Sequence, residues 1–263
     1  EELRRCLGVL GGPCPPPGGD TAPQEAALEE LGELCEGLDC AEAFCSLGGL
    51  EVVVGLLGSP CPPLRGGAAR LLGVCAQNLP GAQSRALALG ALTPLLGALR
   101  GDPDPSVPPR ALYAISCLVR GQPAGLEQLE QLGGLEALGG ALGSPHPPLR
   151  ARAAFVLHCL LQEHPPLRAP LCSLGAVPLL GAVLRTPHDA AHEHALGALC
   201  SLATDFPEGV RECRAPPLGL RELLRDRREL LRGREEFREE LEFCERLLQL
   251  CFEPPPEESA RER

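Results

Sequence analysis

Leu47-Gly48-Gly49-Leu50 is the first copy of a four-residue mark that decides the fold of this chain. The copies that follow are Leu89-Gly90-Ala91-Leu92, Leu132-Gly133-Gly134-Leu135 and Leu174-Gly175-Ala176-Val177, at spacings of 42, 43 and 42 residues, with a weaker fifth copy at Leu218-Gly219-Leu220. Self-similarity at this period is typical of helical repeat arrays. Stacked repeats form a long surface without a built-in reaction centre, so the pattern directs attention to a binding partner before catalysis.

A second set of dipeptides repeats in phase with the first. Ser59-Pro60, Asp102-Pro103, Ser144-Pro145 and Thr186-Pro187 are 43, 42 and 42 residues apart. Each pairs an N-cap residue with a proline suited to the first helical position, which predicts a short helix leading into a buried one. The buried block carries apolar residues at helical spacing, and a third helix such as 90–99 closes each unit.

Three helices in about 42 residues are typical of the armadillo class. The sequence therefore predicts an all-α, right-handed armadillo-like superhelix of about four three-helix repeats with helical caps. The expected organisation is an N-terminal helix and Pro/Gly-rich linker (1–23), N-terminal capping helices (24–47), armadillo repeats (48–214), C-terminal capping helices (215–252) and a disordered tail (253–263).

The last two helices carry many charges, which we interpret as the polar outer face that a terminal repeat needs for solubility. These charged residues are Arg225, Asp226, Arg227, Arg228, Glu229, Glu235, Glu236, Glu239 and Glu240.

Composition narrows the classes of partner. The net charge is -11 and all 24 basic residues are arginine, so no clustered positive face for nucleic acid is expected. No apolar run reaches 18 residues, which predicts no membrane span.

The 14 cysteines invite a disulfide interpretation, but their spacing favours another. Cys75, Cys117 and Cys159 are 42 residues apart and are predicted to share one core position of successive repeats. Neighbouring helices pack about 10 Å apart, which is too far for a disulfide. Reduced thiols predict a cytoplasmic protein. A secretory relative is an alternative that an upstream signal sequence would favour.

His188, His192 and His194 are the residues that come closest to a metal site. His188 and His192 are four residues apart, as zinc ligands on one helix face would be, but the HExxH order is missing and no third ligand stands at a suitable spacing. We expect solvated or capping histidines, no metal and no cofactor. His158 is expected on a helix surface beside the core Cys159, and no motif of a nucleophilic or phosphate-binding enzyme occurs, so no catalytic residue is predicted.

The third helices are the candidate binding surface, because in an armadillo array they line the concave side. Helical periodicity assigns Leu50, Val53, Leu56 and Leu57 of the first copy to the core. The outward positions of the four copies are small, weakly apolar and nearly uncharged, which suits a broad docking patch for a folded partner; tolerant surface is the alternative. These positions are Glu51, Val52, Gly55, Thr93, Pro94, Gly97, Glu136, Ala137, Gly140, Pro178, Leu179 and Ala182.

Three segments carry a family resemblance: 111–120 (ALYAISCLVR), 192–214 with HEHALGALCSL, TDFP and GVRECR, and 239–245 (EELEFCE). They resemble the armadillo-type nucleotide exchange factor and binding protein of the cytosolic 70-kDa heat-shock chaperones, and the resemblance runs from about residue 25 to 252. It implies a monomeric, non-enzymatic co-chaperone that grips the ATPase domain of the chaperone with its concave face and promotes ADP release. A generic armadillo scaffold for another partner and a metal-dependent enzyme built on the three histidines are the competing hypotheses.

Overall fold

The computed structural model describes residues 1–13, 19–77 and 79–253, and these residues form an all-helical structure. The α-helices are α1 (Glu2–Leu10), α2 (Ala22–Leu34), α3 (Leu38–Ser46), α4 (Gly49–Leu56), α5 (Pro62–Ala76), α6 (Pro80–Ala88), α7 (Leu92–Gly101), α8 (Val107–Val119), α9 (Pro123–Gln131), α10 (Gly134–Leu142), α11 (Pro147–Glu163), α12 (Arg168–Ser173), α13 (Ala176–Val183), α14 (Ala191–Ala203), α15 (Pro207–Cys213), α16 (Leu220–Leu231) and α17 (Arg238–Phe252). Short 3-10 turns lie at Pro165–Leu167, Pro216–Leu218 and Glu235–Phe237.

The helices recur in groups of three, each with a long helix, a short helix and a third helix. The groups are α5–α7, α8–α10, α11–α13 and α14–α16, with α2–α4 as a similar group before them and α1 and α17 at the two ends. The prediction of an all-α chain of about four three-helix repeats is confirmed.

The order of the helices within a group differs from the prediction. The Ser-Pro and Asp-Pro dipeptides do not begin helices: α5 begins at Pro62, and Ser59 instead accepts a hydrogen bond from the backbone N–H of Cys61 at 3.2 Å. Ser144 makes the same turn with the N–H of His146 at 3.2 Å. These hydroxyls stabilise the turn two residues before the helix, because a Ser or Asp side chain bonds the backbone two residues on as readily as it caps a helix.

The short helix follows the long one and begins at a different proline. Pro80, Pro123, Pro165 and Pro207 open α6, α9, the 3-10 turn before α12, and α15, again at spacings of 43, 42 and 42 residues. The residue before each proline is pushed out of the helical region by the proline ring; Phe206, for example, has φ -137° and ψ 93°. That extended residue separates the long helix from the short one.

The glycine mark lies where the short helix turns into the third helix. The first glycine of every copy has a positive φ: 80° at Gly48, 75° at Gly90, 67° at Gly133, 75° at Gly175 and 52° at Gly219. Glycine adopts this left-handed conformation at no steric cost, which makes it the preferred residue just past a helix end. The mark is therefore confirmed as the start of each third helix.

Two compact units divide the chain, unit 1 at Glu1–Ala137 and unit 2 at Leu138–Arg263. In unit 1 the long helices α2, α5 and α8 pack in succession, and fully buried Leu72 and Ile115 belong to its core. In unit 2 the helices α11, α14 and α17 do the same around residues such as Leu196. Each fully buried leucine or isoleucine contributes roughly 1.5–3 kcal/mol. The finer boundaries given above stay predictions.

The cysteines follow the core prediction only in part. Cys75 is fully buried and its thiol lies against that of Cys35, but Cys117 and Cys159 are only half-buried. The shared position therefore lies at the edge of the apolar stripe, and in α5 the neighbouring α2 covers it. The described cysteines form no disulfide bond.

Among the described residues, no single helix has the length and apolar character to cross a membrane; one pair, Pro165–Ser173 with Ala176–Val183, passes this test jointly but is bent by 87°. The predicted N-terminal helix and linker (1–23) lie partly outside the described residues, at 14–18. The predicted tail does so almost entirely, at 254–263.

Candidate functional site: the face of the third helices

We call the twelve outward positions of α4, α7, α10 and α13 the third-helix face. Glu51, Gly55, Thr93, Gly97 and Glu136 in unit 1, and Gly140, Pro178 and Ala182 in unit 2, are exposed. Val52, Pro94 and Leu179 are half-buried. The core residues Leu50, Val53, Leu56 and Leu57 of α4 are buried as predicted.

Ala137 departs from the outward prediction, because it is only 8 % exposed. Its counterparts Val52, Pro94 and Leu179 are half-buried at the same register position. A methyl group extends less far than these larger side chains, so neighbouring residues cover it. Ala137 is therefore not a surface contact.

Three glycines of this face have no steric reason to be glycine; Gly97 lies inside α7, and Gly55 and Gly140 lie in the last turns of α4 and α10. A Cβ placed on Gly55, Gly97 or Gly140 would meet no other atom within 4 Å. By contrast, a Cβ on Gly134 would lie 2.3 Å from Leu129, so that glycine is required by packing. A glycine in a helix interior costs roughly 0.5–1 kcal/mol relative to alanine. The fold does not need Gly55, Gly97 and Gly140, and their effect is to leave the helix backbone open to an approaching surface.

In unit 1 the charges beside the face are paired. Arg85 of α6 donates hydrogen bonds to Glu51, with its Nε 2.9 Å and its Nη2 2.5 Å from the carboxylate. The hydrogen bond from Arg85 lowers the pKa of the Glu51 carboxyl. Arg100, at the end of α7, donates to the backbone carbonyls of Leu132 at 2.5 Å and Gly133 at 2.9 Å. A cation at this point provides a partner for the Leu132 carbonyl at the end of α9 and a second one for the Gly133 carbonyl, which also accepts the N–H of Ala137.

Unit 2 repeats the arginine at the end of the third helix. Arg185 donates to the carbonyl of Gly181 at 3.0 Å and also to the carbonyl of Leu218. Arg100 and Arg185 each stand ten residues after the first glycine of a mark, Gly90 and Gly175. Sequence reasoning missed both arginines, although this shared offset was readable.

Sequence reasoning also left out the helix that follows the fifth mark. Leu223 and Asp226 of α16 stand four and seven residues after Gly219, the offsets at which Leu179 and Ala182 follow Gly175. Both line a cavity of about 540 Å³ on unit 2 that is also bounded by Arg185 and the exposed Leu230. The weak fifth mark thus continues the same surface.

The three histidines proposed as metal ligands do not converge. The rings of His188 and His192 are 5.0 Å apart, but His194 lies elsewhere and packs its ring 5.2 Å from that of Phe155. The part of the chain that the structure describes contains no group of three His, Cys, Asp or Glu side chains suited to a metal ion.

His192, expected to be either solvated or a capping residue, is completely buried. Its Nδ1 accepts a hydrogen bond from the backbone N–H of Asp189 at 3.0 Å, and its Nε2 is buried without a partner. Burial lowers the pKa of its imidazole, and the charge of Arg227 adds to this effect. Burial in the core of unit 2 thus favours the neutral form of this histidine.

His158 is likewise not a surface residue. It is half-buried, with its ring edge-on to Phe243 at 5.5 Å, and burial lowers its pKa. It shares this setting with His194, whose ring lies 6.2 Å away. His158 therefore packs α11 against the neighbouring helices α14 and α17.

Two charges assigned to a polar outer face form an ion pair instead, in which Glu240 is buried and Arg227 is largely covered. Glu240 is 2 % exposed and accepts hydrogen bonds from Arg227 Nη1 at 2.9 Å, with His188 Nε2 at 2.8 Å from its other oxygen. Arg227 also donates to the carbonyl of Leu184 at 3.1 Å. The two residues extend the apolar stripes of α17 and α16, for Glu240 lies four residues before Cys244 and Arg227 three after Leu224. A charged residue at a position of the apolar stripe was therefore the sequence signal for this ion pair.

Comparison with known proteins identifies relatives of the chain. The model of the SIL1/FES1/HPBP1 C-terminal domain matches residues 40–144. Hsp70-binding protein 1 of Homo sapiens is 49 % identical over 98 % of this chain and 74 % of its own length. The Hsp70 nucleotide exchange factor FES1 of Coccidioides immitis is 34 % identical over 40 % of this chain and 50 % of its own length.

Solved structures agree on the fold. A designed armadillo repeat protein superposes with a TM-score of 0.79 at 19 % identity, covering 95 % of this chain and 99 % of the designed chain. The armadillo class predicted from the 42-residue period is confirmed.

Proposed function

This chain belongs to the family of Hsp70-binding protein 1, SIL1 and FES1, and from this premise we propose that it is an Hsp70 co-chaperone that acts as a nucleotide exchange factor. The support is the 49 % identity to Hsp70-binding protein 1 over almost the whole chain, together with a relative, FES1, whose name states nucleotide exchange on Hsp70. The fold supports a binding role, since stacked helices offer surface rather than a reaction centre.

The finer proposal is that the ATPase domain of Hsp70 docks on the third-helix face. The observation that carries it is the open space above Gly55, Gly97 and Gly140, where the helix backbone is bare for no reason of packing. A folded partner can approach such a surface closely, and Glu51, Glu136 and the nearby arginines provide polar contacts at its rim.

Exchange follows from differential binding. If the chain binds the open state of the ATPase domain better than the closed state, it weakens ADP binding by the same factor, by thermodynamic linkage. A tenfold weakening requires only about 1.4 kcal/mol of differential contact. No chemical step on the side of this chain is needed, so the proposal is of a non-enzymatic factor, monomeric and, given its buried thiols, cytoplasmic.

Release of fluorescently labelled ADP from purified Hsp70 tests the function. Adding this chain should accelerate release at least tenfold, with the full-length chaperone and with its isolated ATPase domain alike. An unchanged release rate, with the chain still bound to Hsp70, would exclude nucleotide exchange and leave Hsp70 binding alone. Failure to bind Hsp70 would exclude the proposal altogether and favour an armadillo scaffold for another partner.

A further inference from the structure

One nine-residue sequence occurs twice in the chain, at the turns that lead into the long helices α5 and α11. Residues 57–65 read LGSPCPPLR and residues 142–150 read LGSPHPPLR, so the two copies differ only at Cys61 and His146. Each copy contains a serine followed directly by proline, the pair of residues that proline-directed protein kinases recognise. Neither serine belongs to the third-helix face.

The two copies form the same turn. In both, the serine hydroxyl accepts a hydrogen bond at 3.2 Å from the backbone N–H two residues on. In both, the arginine six residues on donates to the serine carbonyl: Arg65 lies 2.8 Å from the carbonyl of Ser59, and Arg150 lies 3.3 Å from that of Ser144. Differences in reactivity between the two serines must therefore come from their surroundings.

Burial separates the two serines. Ser59 is 6 % exposed and Cys61 beside it is buried as well. Ser144 is half-buried, and its neighbours Pro145 and His146 are exposed. A kinase has to take both the hydroxyl and the following residues into its active site. The hydrogen bond that holds the Ser144 hydroxyl is a neutral one worth about 0.5–1.5 kcal/mol, so it is readily exchanged. The folded chain thus presents Ser144 and covers Ser59.

An acidic group is compatible with this position of the repeat. The equivalent residue of the repeat between the two copies is Asp102, 42 residues before Ser144. Its carboxylate accepts the N–H of Asp104 at 3.0 Å in the same two-residue turn, and also binds Arg65 at 2.7 and 2.8 Å. The oxygens of a phosphate on Ser144 can accept the N–H of His146 in the same way.

Arg150 provides a cation for such a phosphate. Its side chain is 9 % exposed, and its Nη1 already reaches the carbonyl of Ser144. Its Nε is buried and has no hydrogen-bond partner among the described residues. Residues 143–149 include no acidic residue, and α11 begins at Pro147, so the helix dipole also favours an anion here. A phosphate adds a charge of about -1.5 to -2 and three strong acceptors, which suit this setting.

We propose that Ser144 is a phosphorylation site for a proline-directed serine/threonine kinase and that Arg150 binds the phosphate. The donor is ATP. The bond between Ser144 Oγ and the γ-phosphorus forms while the bond from that phosphorus to ADP breaks, and the hydroxyl proton passes to the catalytic aspartate of the kinase. This proposal does not rest on the proposed Hsp70 function.

Thr186-Pro187 is the other half-buried pair of this kind, but it suits the reaction less well. The hydroxyl of Thr186 donates a hydrogen bond to the carbonyl of Val183 at 2.8 Å. The acidic Asp189 follows three residues on, and a like charge opposes a phosphate. Ser144 is therefore the preferred site.

Kinase assays on the folded chain and on two matched peptides test the site. The probe is a purified kinase of the mitogen-activated type with ATP, and the peptides are residues 55–66 and 140–151. Both peptides should be phosphorylated at similar rates, because their motifs are the same. In the folded chain Ser144 should react at least about tenfold faster than Ser59, which is reached only by local opening. Mass spectrometry locates the phosphate.

Ser144→Ala should abolish phosphorylation of the folded chain, whereas Ser59→Ala should leave it unchanged. Circular dichroism verifies that both variants are folded. An inert 140–151 peptide, equal reaction of Ser59 and Ser144 in the folded chain, or phosphate on Thr186 in place of Ser144 would each overturn the site.

Phosphorus-31 NMR tests the contact with Arg150. In the phosphorylated 140–151 peptide, which is not held in the turn, the phosphate should titrate with a pKa of about 6. In the phosphorylated folded chain the pKa should be lower by at least about half a unit, because a fixed arginine favours the dianion. Equal pKa values in the peptide and the folded chain would contradict the role of Arg150.

Discussion

The two units build the same three-helix groups but bury different chemistry. Unit 1 carries a largely buried ion pair in which Arg65 donates to Asp102 at 2.7 and 2.8 Å and to the carbonyl of Ser59 at 2.8 Å. Unit 2 has the corresponding Arg150, which bonds Asp189 and the carbonyl of Ser144. Unit 2 adds the Arg227–Glu240 pair and two histidines, His158 and His192, whose pKa values burial lowers.

One register position shows how the difference arises. Residues 65, 108, 150 and 192 are equivalent, at spacings of 43, 42 and 42. The side chains of Arg65 and Arg150 reach from the long helix to the preceding turn. Pro108 has no side chain that could make this contact. His192 is too short to make it and is buried. Arg227 of α16 donates a hydrogen bond instead to the carbonyl of Leu184, which precedes His192 in the chain. Several residue types can therefore occupy this position of the repeat. The histidine at this position in unit 2 is the one whose charge depends on pH.

The largest effect is expected from removing the buried carboxylate of unit 2. Glu240→Ala removes a buried carboxylate that contacts both Arg227 and His188, leaves the largely buried Arg227 with the Leu184 carbonyl as acceptor, and should lower the free energy of unfolding by about 3–5 kcal/mol. Urea denaturation measures the loss, and hydrogen exchange should place it in α16 and α17. The control Glu239→Ala, an exposed neighbour, should stay within about 0.5 kcal/mol. A loss of less than about 1 kcal/mol for Glu240→Ala would contradict a stabilising role of the Arg227–Glu240 pair.

A smaller loss is expected in unit 1. Asp102→Ala removes the carboxylate partner of one arginine, Arg65, which keeps its bond to the carbonyl of Ser59. The expected cost is about 1.5–3 kcal/mol, the range for hydrogen bonds to charged groups. Hydrogen exchange should rise in α5 and α8 while α14 and α17 keep their protection. Equal deprotection of α17 would contradict the assignment of this pair to unit 1; the exposed Glu127→Ala is the matched control.

The pH dependence of stability should also distinguish the two units. The expected change in the free energy of unfolding is smaller than that caused by either ion-pair substitution. His158 and His192 have pKa values lowered by burial in the folded state. Below the unfolded pKa of about 6.5, the unfolded chain therefore binds more protons, and stability falls as the pH drops. Urea midpoints at pH 7.5 and 5.5 measure this loss, and His192→Gln should reduce it. A pH dependence untouched by His192→Gln would rule out a contribution from this residue.

The smallest effect concerns the open glycines of the face. Gly97→Ala in unit 1 and Gly140→Ala in unit 2 should each raise the free energy of unfolding by roughly 0.5–1 kcal/mol, since alanine suits a helix interior and meets open space. Gly134→Ala is the matched contrast and should destabilise, because its Cβ would lie 2.3 Å from Leu129. Thermal unfolding ranks the three variants. A destabilised Gly97→Ala would mean that the fold itself requires this glycine.

The sequence predicted the repeat and its turns, because periodicity reports directly which positions are buried. The mark at Gly48 and its copies fixed the start of each third helix, and Leu50 and Val53 are core as predicted. The Ser-Pro dipeptides misled, since Ser59 makes a turn rather than a cap. The X-Pro steps at Pro80 and its copies were the better signal for the short helix.

Charged core residues were not predicted, because composition suggests surface wherever charges cluster. Glu240 stands among exposed glutamates, and only its position on the stripe of Cys244 distinguishes it. The burial of His192 depends on packing against a helix distant in sequence. Neither hydrophobic periodicity nor the pattern of charges can predict the binding role of the third-helix face. This role stays a proposal, which the exposed glycines support.

Binding of Gly97→Arg and Gly140→Arg to the isolated ATPase domain of Hsp70 tests the central claim most directly. Both arginines enter open space, so the fold should survive, and Gly81→Arg on α6 is the matched control, since its Cβ also meets no atom within 4 Å. Isothermal titration should show at least tenfold weaker binding for both face variants, a loss of about 1.4 kcal/mol, and unchanged binding for Gly81→Arg. Wild-type affinity in both folded face variants would contradict the assignment of the third-helix face as the Hsp70 surface.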